Sequence, residues 1–208
     1  MAILECKSRL CGHIYCRMRE SVLSIKTFFR EFLHSPAHVG SVCPSSEALT
    51  ASMISRVPLA EDGLIIDLGA GSGVVSKQLL HSGVSPERIV ALELLSGFVE
   101  NFQRNCPGVA LQIADARDLS RVLDKQFSGL HVSGIISSLP FRVMPSSLVS
   151  EILQEVRTVA VKHNAVLVQY SYAWWMRYPL RKYGFHPNSA EIVMKNLPPA
   201  KVETYIVQ

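Results

Sequence analysis

The residues best suited to chemistry in this 208-residue chain lie between positions 67 and 141. Asp67-Leu68-Gly69-Ala70-Gly71-Ser72-Gly73 sets three glycines at alternate positions behind an acid. Glycines let a backbone turn tightly and approach a ligand with no side chain in between. A dinucleotide fingerprint spaces them GxGxxG; here the third glycine comes one residue early and Val74 holds the late position. Glu93 follows Gly73 by twenty residues, and a carboxylate there can accept hydrogen bonds from both ribose hydroxyls. Asp115 follows in Ala114-Asp115-Ala116. One such acid alone is ordinarily a solvated charge or a helix cap. Three acids, each closing an apolar run, together with a glycine turn describe a binding site. Further on, Ser137-Ser138-Leu139-Pro140-Phe141 closes another apolar run with a proline and an aromatic ring.

The elements that position these residues are legible from periodicity. Leu64–Asp67, Ile89–Glu93, Ala110–Ala114, Ser133–Ser138 and Ala165–Tyr170 read as buried strands. Helices are expected from the glycine turn to about Ser82, over 95–105 and over 147–162. Such alternation builds a parallel sheet with helices on both faces. Its ligands bind beyond the carboxyl ends of the strands. Glu191–Asn196 and Lys201–Val207 are separated by only Leu197-Pro198-Pro199-Ala200, too short for a parallel crossover, so they form an antiparallel hairpin. Ahead of the sheet, Val22, Ile25, Phe29, Phe32 and Leu33 recur at helical spacing over 17–34, with Arg17, Arg19, Lys26 and Arg30 on the polar side. Pro44-Ser45-Ser46 opens a second helix running to about Arg56. The expected organisation is an N-terminal extension, 1–35, and an α/β domain, 36–208.

Composition narrows the function classes. Hydrophobic residues at 48% and charged residues at 18% exclude a disordered chain. The net charge is only +4, but residues 1–35 and 170–208 each carry +3 and the middle is negative. Basic ends suit an anionic partner surface, a membrane or a nucleic acid. The five cysteines include no CxxC pair, so neither a metal site nor a fully paired disulfide scaffold is expected. The seven histidines follow no motif. No apolar run is long enough to span a bilayer, and charges interrupt the first twenty residues. A cytoplasmic protein, peripheral on the inner face of the cell membrane, is expected.

The GxGxG turn resembles motif I of the class I S-adenosylmethionine-dependent methyltransferases, and strands ending in a hairpin resemble their sheet. That resemblance implies a Rossmann-like, mostly parallel seven-stranded sheet. It also implies S-adenosylmethionine as cofactor, held by Asp67 at its amino-acid end, Glu93 at the ribose, Asp115 at the adenine, and the glycines Gly69, Gly71 and Gly73. Amino-methyltransferases of nucleic-acid bases carry Asn/Asp-Pro-Pro-Tyr/Phe or Asn-Leu/Ile-Pro-Tyr/Phe after the fourth strand. This chain keeps Leu139-Pro140-Phe141 but has Ser138 for the asparagine, which argues against a base and leaves an amine acceptor open. The implied acceptor site is Ser138, Leu139, Pro140 and Phe141, with main-chain carbonyls around Ser138–Pro140 orienting the amine.

From about Phe28 onwards the chain is more specifically similar to the bacterial phospholipid N-methyltransferases. The similarity rests on Phe28-Phe29, Val39-Gly40-Ser41-Val42-Cys43-Pro44-Ser45-Ser46, the Ser138-Leu139-Pro140 segment, and Asn196-Leu197-Pro198-Pro199-Ala200-Lys201-Val202. It implies methylation of phosphatidylethanolamine towards phosphatidylcholine by a peripheral membrane enzyme, with a phospholipid and an anionic membrane surface as partners and no metal. The 17–34 helix then serves as a membrane-docking element, although the same periodicity fits a helix packed on the sheet. Tyr170, Tyr172, Trp174, Trp175 and Tyr178 would either face a methylated cationic headgroup or pack on the sheet. Arg177, Arg181 and Lys182 would meet phosphates. The alternatives are a ribosomal RNA adenine N6-dimethyltransferase, a methyltransferase of another lipid or small amine such as an ornithine lipid, and a non-catalytic binding protein.

Overall fold

Strands β1 (Leu64–Leu68), β2 (Ile89–Glu93) and β4 (Val132–Ser137) are buried at every position. Strands covered by helices on both faces need continuous apolar runs. A computed structural model describes residues 46–60, 62–172 and 179–207 of the chain. The expected docking helix over 17–34, the segment 28–45, Trp174, Trp175, Arg177 and Tyr178 lie outside the described residues.

Seven strands form one sheet in the order β3-β2-β1-β4-β5-β7-β6, with β3 at Ala110–Ile113, β5 at Val166–Ser171, β6 at Phe185–Val193 and β7 at Ala200–Val207. The first five are parallel; β7 runs antiparallel to both β5 and β6. The order reverses between β1 and β4, which opens a crevice at their carboxyl ends. The expected hairpin is present, but its first strand begins at Phe185 and ends at Val193, so Met194–Asn196 lie in the turn. Pro187 explains why sequence pattern hides that early start. It is tolerated because β6 is an edge strand, and the pairing is irregular between Pro187 and Ser189.

Helix α1 (Glu47–Ile54) is capped by Ser46, whose hydroxyl accepts from Leu49 N at 3.2 Å. One sheet face gathers α1 and α2 (Val74–His81) around Leu49, Met53, Ile65, Val75, Leu79, Ile136, Val168 and Val202. Helix α3 (Val99–Asn105) sends Phe102 into a second cluster with Ala70, Ala91 and Cys106 on the same side. On the other face lie α4 (Leu119–Gln126), an element not expected from sequence, and the eighteen-residue α5 (Ser146–His163). Helix α5 buries Leu148, Val149, Ile152, Leu153, Val156 and Val159 at helical spacing and ends on Asn164 in the left-handed conformation.

The hairpin is fastened to α1 by polar contacts. Asn196 is buried; its Oδ1 accepts from Ser46 N at 3.0 Å and its Nδ2 donates to Pro198 O at 2.7 Å. Glu191 accepts from Ser52 Oγ at 2.7 Å and pairs with Arg56 at 2.9 Å. Because β7 begins opposite the end of β5, with Ser171 paired to Lys201, the 194–199 turn sits at the carboxyl edge of the parallel strands. That is the edge where the glycine loop lies.

Candidate cofactor and acceptor site

All three glycines of the β1–α2 loop have positive φ: +80° at Gly69, +53° at Gly71 and +86° at Gly73. A side chain is excluded at two of them by neighbours as well. A Cβ on Gly69 would stand 2.8 Å from Leu139, and one on Gly73 would stand 2.6 Å from Cys106 Sγ. At Gly71 a Cβ would meet nothing within 4 Å. Gly69 and Gly73 are therefore required for packing, whereas Gly71 faces open space of the kind a ligand fills.

Each of the three expected acids is placed at this edge, and counting lone pairs shows what each has left to offer. A carboxylate has about four acceptor sites. Asp67 is fully buried; its Oδ2 accepts from Ser76 N at 3.1 Å and Ser76 Oγ at 2.6 Å, while Oδ1 is buried with no partner. Burial pushes its pKa up to about 6, against the Ser76 hydrogen bonds, with a smaller push from the charge of Glu93. Glu93 accepts from Gly71 N through Oε2 and from Leu95 N through Oε1, both at 2.9 Å. One site remains on each oxygen, enough for two vicinal hydroxyls. Asp115 is held by Arg117, whose Nε and main-chain N both reach Oδ1 and whose Nη2 reaches Oδ2 at 2.9 Å. Arg117 also bridges to Glu151 at 2.7 Å. Asp115 thus keeps one acceptor site, on Oδ2.

These residues fit S-adenosylmethionine. An orphaned buried oxygen on Asp67 suits an ammonium or a bridging water, Glu93 keeps two sites for a ribose, and the Gly71 cradle is open. Asp67 also serves as an anchor for the start of α2, a role that the motif alone does not reveal. Its partner Ser76 is the third residue of that helix. The loop is further held by Asn105 Nδ2 on Ser72 O at 2.8 Å and by the buried thiol of Cys106 on Gly73 O at 3.3 Å. Desolvation raises that thiol to about 11, so it remains protonated and unreactive. Among the described residues, no group of three or more His, Cys, Asp or Glu side chains is placed to hold a metal ion.

The expected acceptor loop leaves β4 beside the glycine turn. Ser138 N donates to Leu68 O at 2.9 Å, and Leu139, 8% exposed, covers Gly69. Phe141 is buried. The main-chain oxygen of Leu139 already accepts twice, from Phe141 N at 2.9 Å and from Gln169 Nε2 at 3.1 Å. It has no lone pair left for an amine. Gln169 was not among the expected site residues, although its polarity interrupts an otherwise apolar strand. Tyr170 and Tyr172 stack edge-to-face at 5.3 Å and pack on the α1 core cluster, the packing alternative for those two rings.

No protein-family model matches the chain. An ornithine lipid N-methyltransferase of Singulisphaera acidiphila is 24% identical over 188 residues, covering 88% of this chain and 94% of that protein. A trans-aconitate 2-methyltransferase of Methylobacterium nodulans is 36% identical over 70 residues, 34% of this chain and 27% of that one. Among solved structures, a 1,6-didemethyltoxoflavin-N1-methyltransferase of Burkholderia thailandensis with bound S-adenosylhomocysteine aligns at TM-score 0.59 and 14% identity, over 92% of this chain and 90% of that one. A TehB-like SAM-dependent methyltransferase of Corynebacterium glutamicum aligns at 0.57 and 14%, over 91% and 100%. The fold is that of the class I S-adenosylmethionine-dependent methyltransferases. Relatives by sequence and by structure are methyltransferases alike, and the expected enzyme class and cofactor stand.

Two outcomes follow from the loop. Gly71→Ala should cost only the left-handed backbone strain of about 1–2 kcal/mol and leave the protein folded, while its Cβ fills the cradle. Calorimetric titration should then show affinity for S-adenosylhomocysteine reduced by roughly two orders of magnitude, against an unfolding midpoint lowered by only a few degrees. Asp67 binds its proton more tightly when folded, so its contribution to stability falls as pH rises from about 4 to about 6 and is flat above. Asp67→Asn removes that dependence. The difference in unfolding free energy between the variant and the natural protein should shift by about 3 kcal/mol in the variant's favour across this window, read by urea titration at each pH.

Proposed function

We propose that this protein methylates the amine of a membrane lipid headgroup, with S-adenosylmethionine as methyl donor. Phosphatidylethanolamine is the acceptor that we put first, and the amine of an ornithine lipid stands beside it. The observation that carries the lipid reading is the near full-length similarity to an ornithine lipid N-methyltransferase. Two features of the site support it. Ser138 replaces the asparagine that a base-modifying enzyme would use, and the edge carrying the site also carries exposed apolar side chains.

A protonated amine has no lone pair to give. With a lysine-like pKa, neutralising it at pH 7 costs about 4–5 kcal/mol. Buried Leu139 and Phe141 exclude water from the acceptor loop, and desolvation disfavours the charged amine. When bound, S-adenosylmethionine would supply an electrophilic methyl group to the amine lone pair, the electrons of the broken C–S bond returning to sulfur. Glu93 and the glycine loop would hold the ribose end, and Asp67 would offer its unpartnered oxygen to the amino-acid end. The proton of the ammonium leaves to solvent before the bond forms, and the methylated nitrogen emerges as an ammonium.

A lipid acceptor requires the enzyme to dock on a bilayer. Met194 is 72% exposed and Leu197 81%, both in the β6–β7 turn at the carboxyl edge. Lys195 lies between them. An apolar pair with an adjacent cation suits an anionic lipid surface, and the basic, phenylalanine-rich 17–34 segment would add a second contact. On this reading the enzyme works peripherally on the cytoplasmic face of the membrane.

The test is methyl transfer from labelled S-adenosylmethionine to phosphatidylethanolamine or ornithine lipid in anionic vesicles, with deproteinised ribosomal RNA offered in parallel. Label should enter lipid; label in RNA alone would replace this reading with the dimethylase. Met194→Asp combined with Leu197→Asp should weaken co-sedimentation with the same vesicles about tenfold or more and leave affinity for S-adenosylhomocysteine unchanged.

A further inference from the structure

A row of polar side chains crosses the α5-covered face of the sheet beside the acceptor loop. Ser137, Gln169 and Glu203 are cross-strand partners on β4, β5 and β7, and Ser171 and Lys201 form the next pair towards the carboxyl edge. Gln169 is 8% exposed. Its Nε2 donates to Leu139 O at 3.1 Å and to Tyr170 O at 2.9 Å. Both partners are carbonyls, so the orientation of the amide is fixed by chemistry and Oε1 must point away. That Oε1 is buried with no partner, and so is Ser171 Oγ, two residues along the same strand face. The neighbouring charges are already satisfied: Lys201 Nζ meets Glu203 Oε1 at 2.6 Å, with both side chains largely buried.

An orphaned amide oxygen in a native interior calls for a donor. We infer that Gln169 Oε1, with Ser171 Oγ, is the hydrogen-bond acceptor that holds the substrate amine beside Leu139. Gln169 then supplies from β5 the amide that Ser138 lacks on the loop itself. This rests on the lipid-amine reading and names its specificity-determining residue. The neutral character of the acceptor matters to the chemistry. A carboxylate in the same place would stabilise the ammonium and keep the lone pair protonated. An amide oxygen orients N–H groups without that penalty, and the Lys201–Glu203 pair adds no net charge.

The inference separates substrates by their N–H count. A neutral primary amine offers two donors and a neutral dimethylated amine none. Gln169→Met, close in volume, should lower kcat/KM for phosphatidylethanolamine about tenfold. The N,N-dimethyl lipid, followed as substrate or, where it is not turned over, as competitive inhibitor, should change by no more than about twofold. Ser171→Ala removes a single oxygen and is the variant that preserves packing. It should move the same ratio in the same direction by about threefold. Affinity for S-adenosylhomocysteine should stay constant in both. Equal losses on both lipids, or no loss on phosphatidylethanolamine, would overturn the role of Gln169. Failure of the unsubstituted enzyme to methylate any lipid amine would overturn the lipid reading instead.

Discussion

The site depends on one buried carboxylate. Asp67, one residue before the end of β1, has no exposure to solvent and ties the strand to the first turn of α2 through Ser76. Two hydrogen bonds do not fully offset the desolvation, as the raised pKa shows. The cost is borne at the candidate site, and functional sites are where local strain and perturbed charges concentrate. With β1 and α2 joined in this way, the intervening loop must turn back in five residues. Left-handed glycines, a Leu139 lid and a Cys106 floor follow from that demand.

The same carboxyl edge assembles the rest. Glu93 closes β2 and reaches across to Gly71, so the end of β2 and the glycine loop are anchored together. The acceptor loop leaves β4 on the other side of the crevice, and β5 contributes Gln169 from beneath it. The antiparallel return of β7 brings the apolar 194–199 turn to this edge too. The glycine loop, the 138–141 loop and the exposed apolar turn therefore share one edge, an arrangement suited to the proposed enzyme, whose acceptor stays in a bilayer.

Much of this was readable in the sequence, for identifiable reasons. β1, β2 and β4 are buried throughout and, with β5, announce themselves as largely apolar runs. The glycine turn is visible because only glycine adopts its backbone at no steric cost. The early part of β6 was not readable, since an edge strand carries no such run and contains Pro187. Helix α4 escaped because its apolar stripe is short, with only Leu119, Val122 and Leu123 buried.

The sequence by itself determined the layered α/β fold, the hairpin ending and the three acids at successive strand ends, because each is encoded by local periodicity or by a residue type at a fixed spacing. Only the tertiary structure decided what those acids have left to give. Lone pairs are spent on partners distant in the chain or hidden in a fold: Asp67 on Ser76, Glu93 on Gly71, Asp115 on Arg117. It likewise decided that Leu139's carbonyl is saturated and that the free acceptor beside it belongs to Gln169. That residue lies thirty positions away along the chain, and strand pairing alone brings the two together.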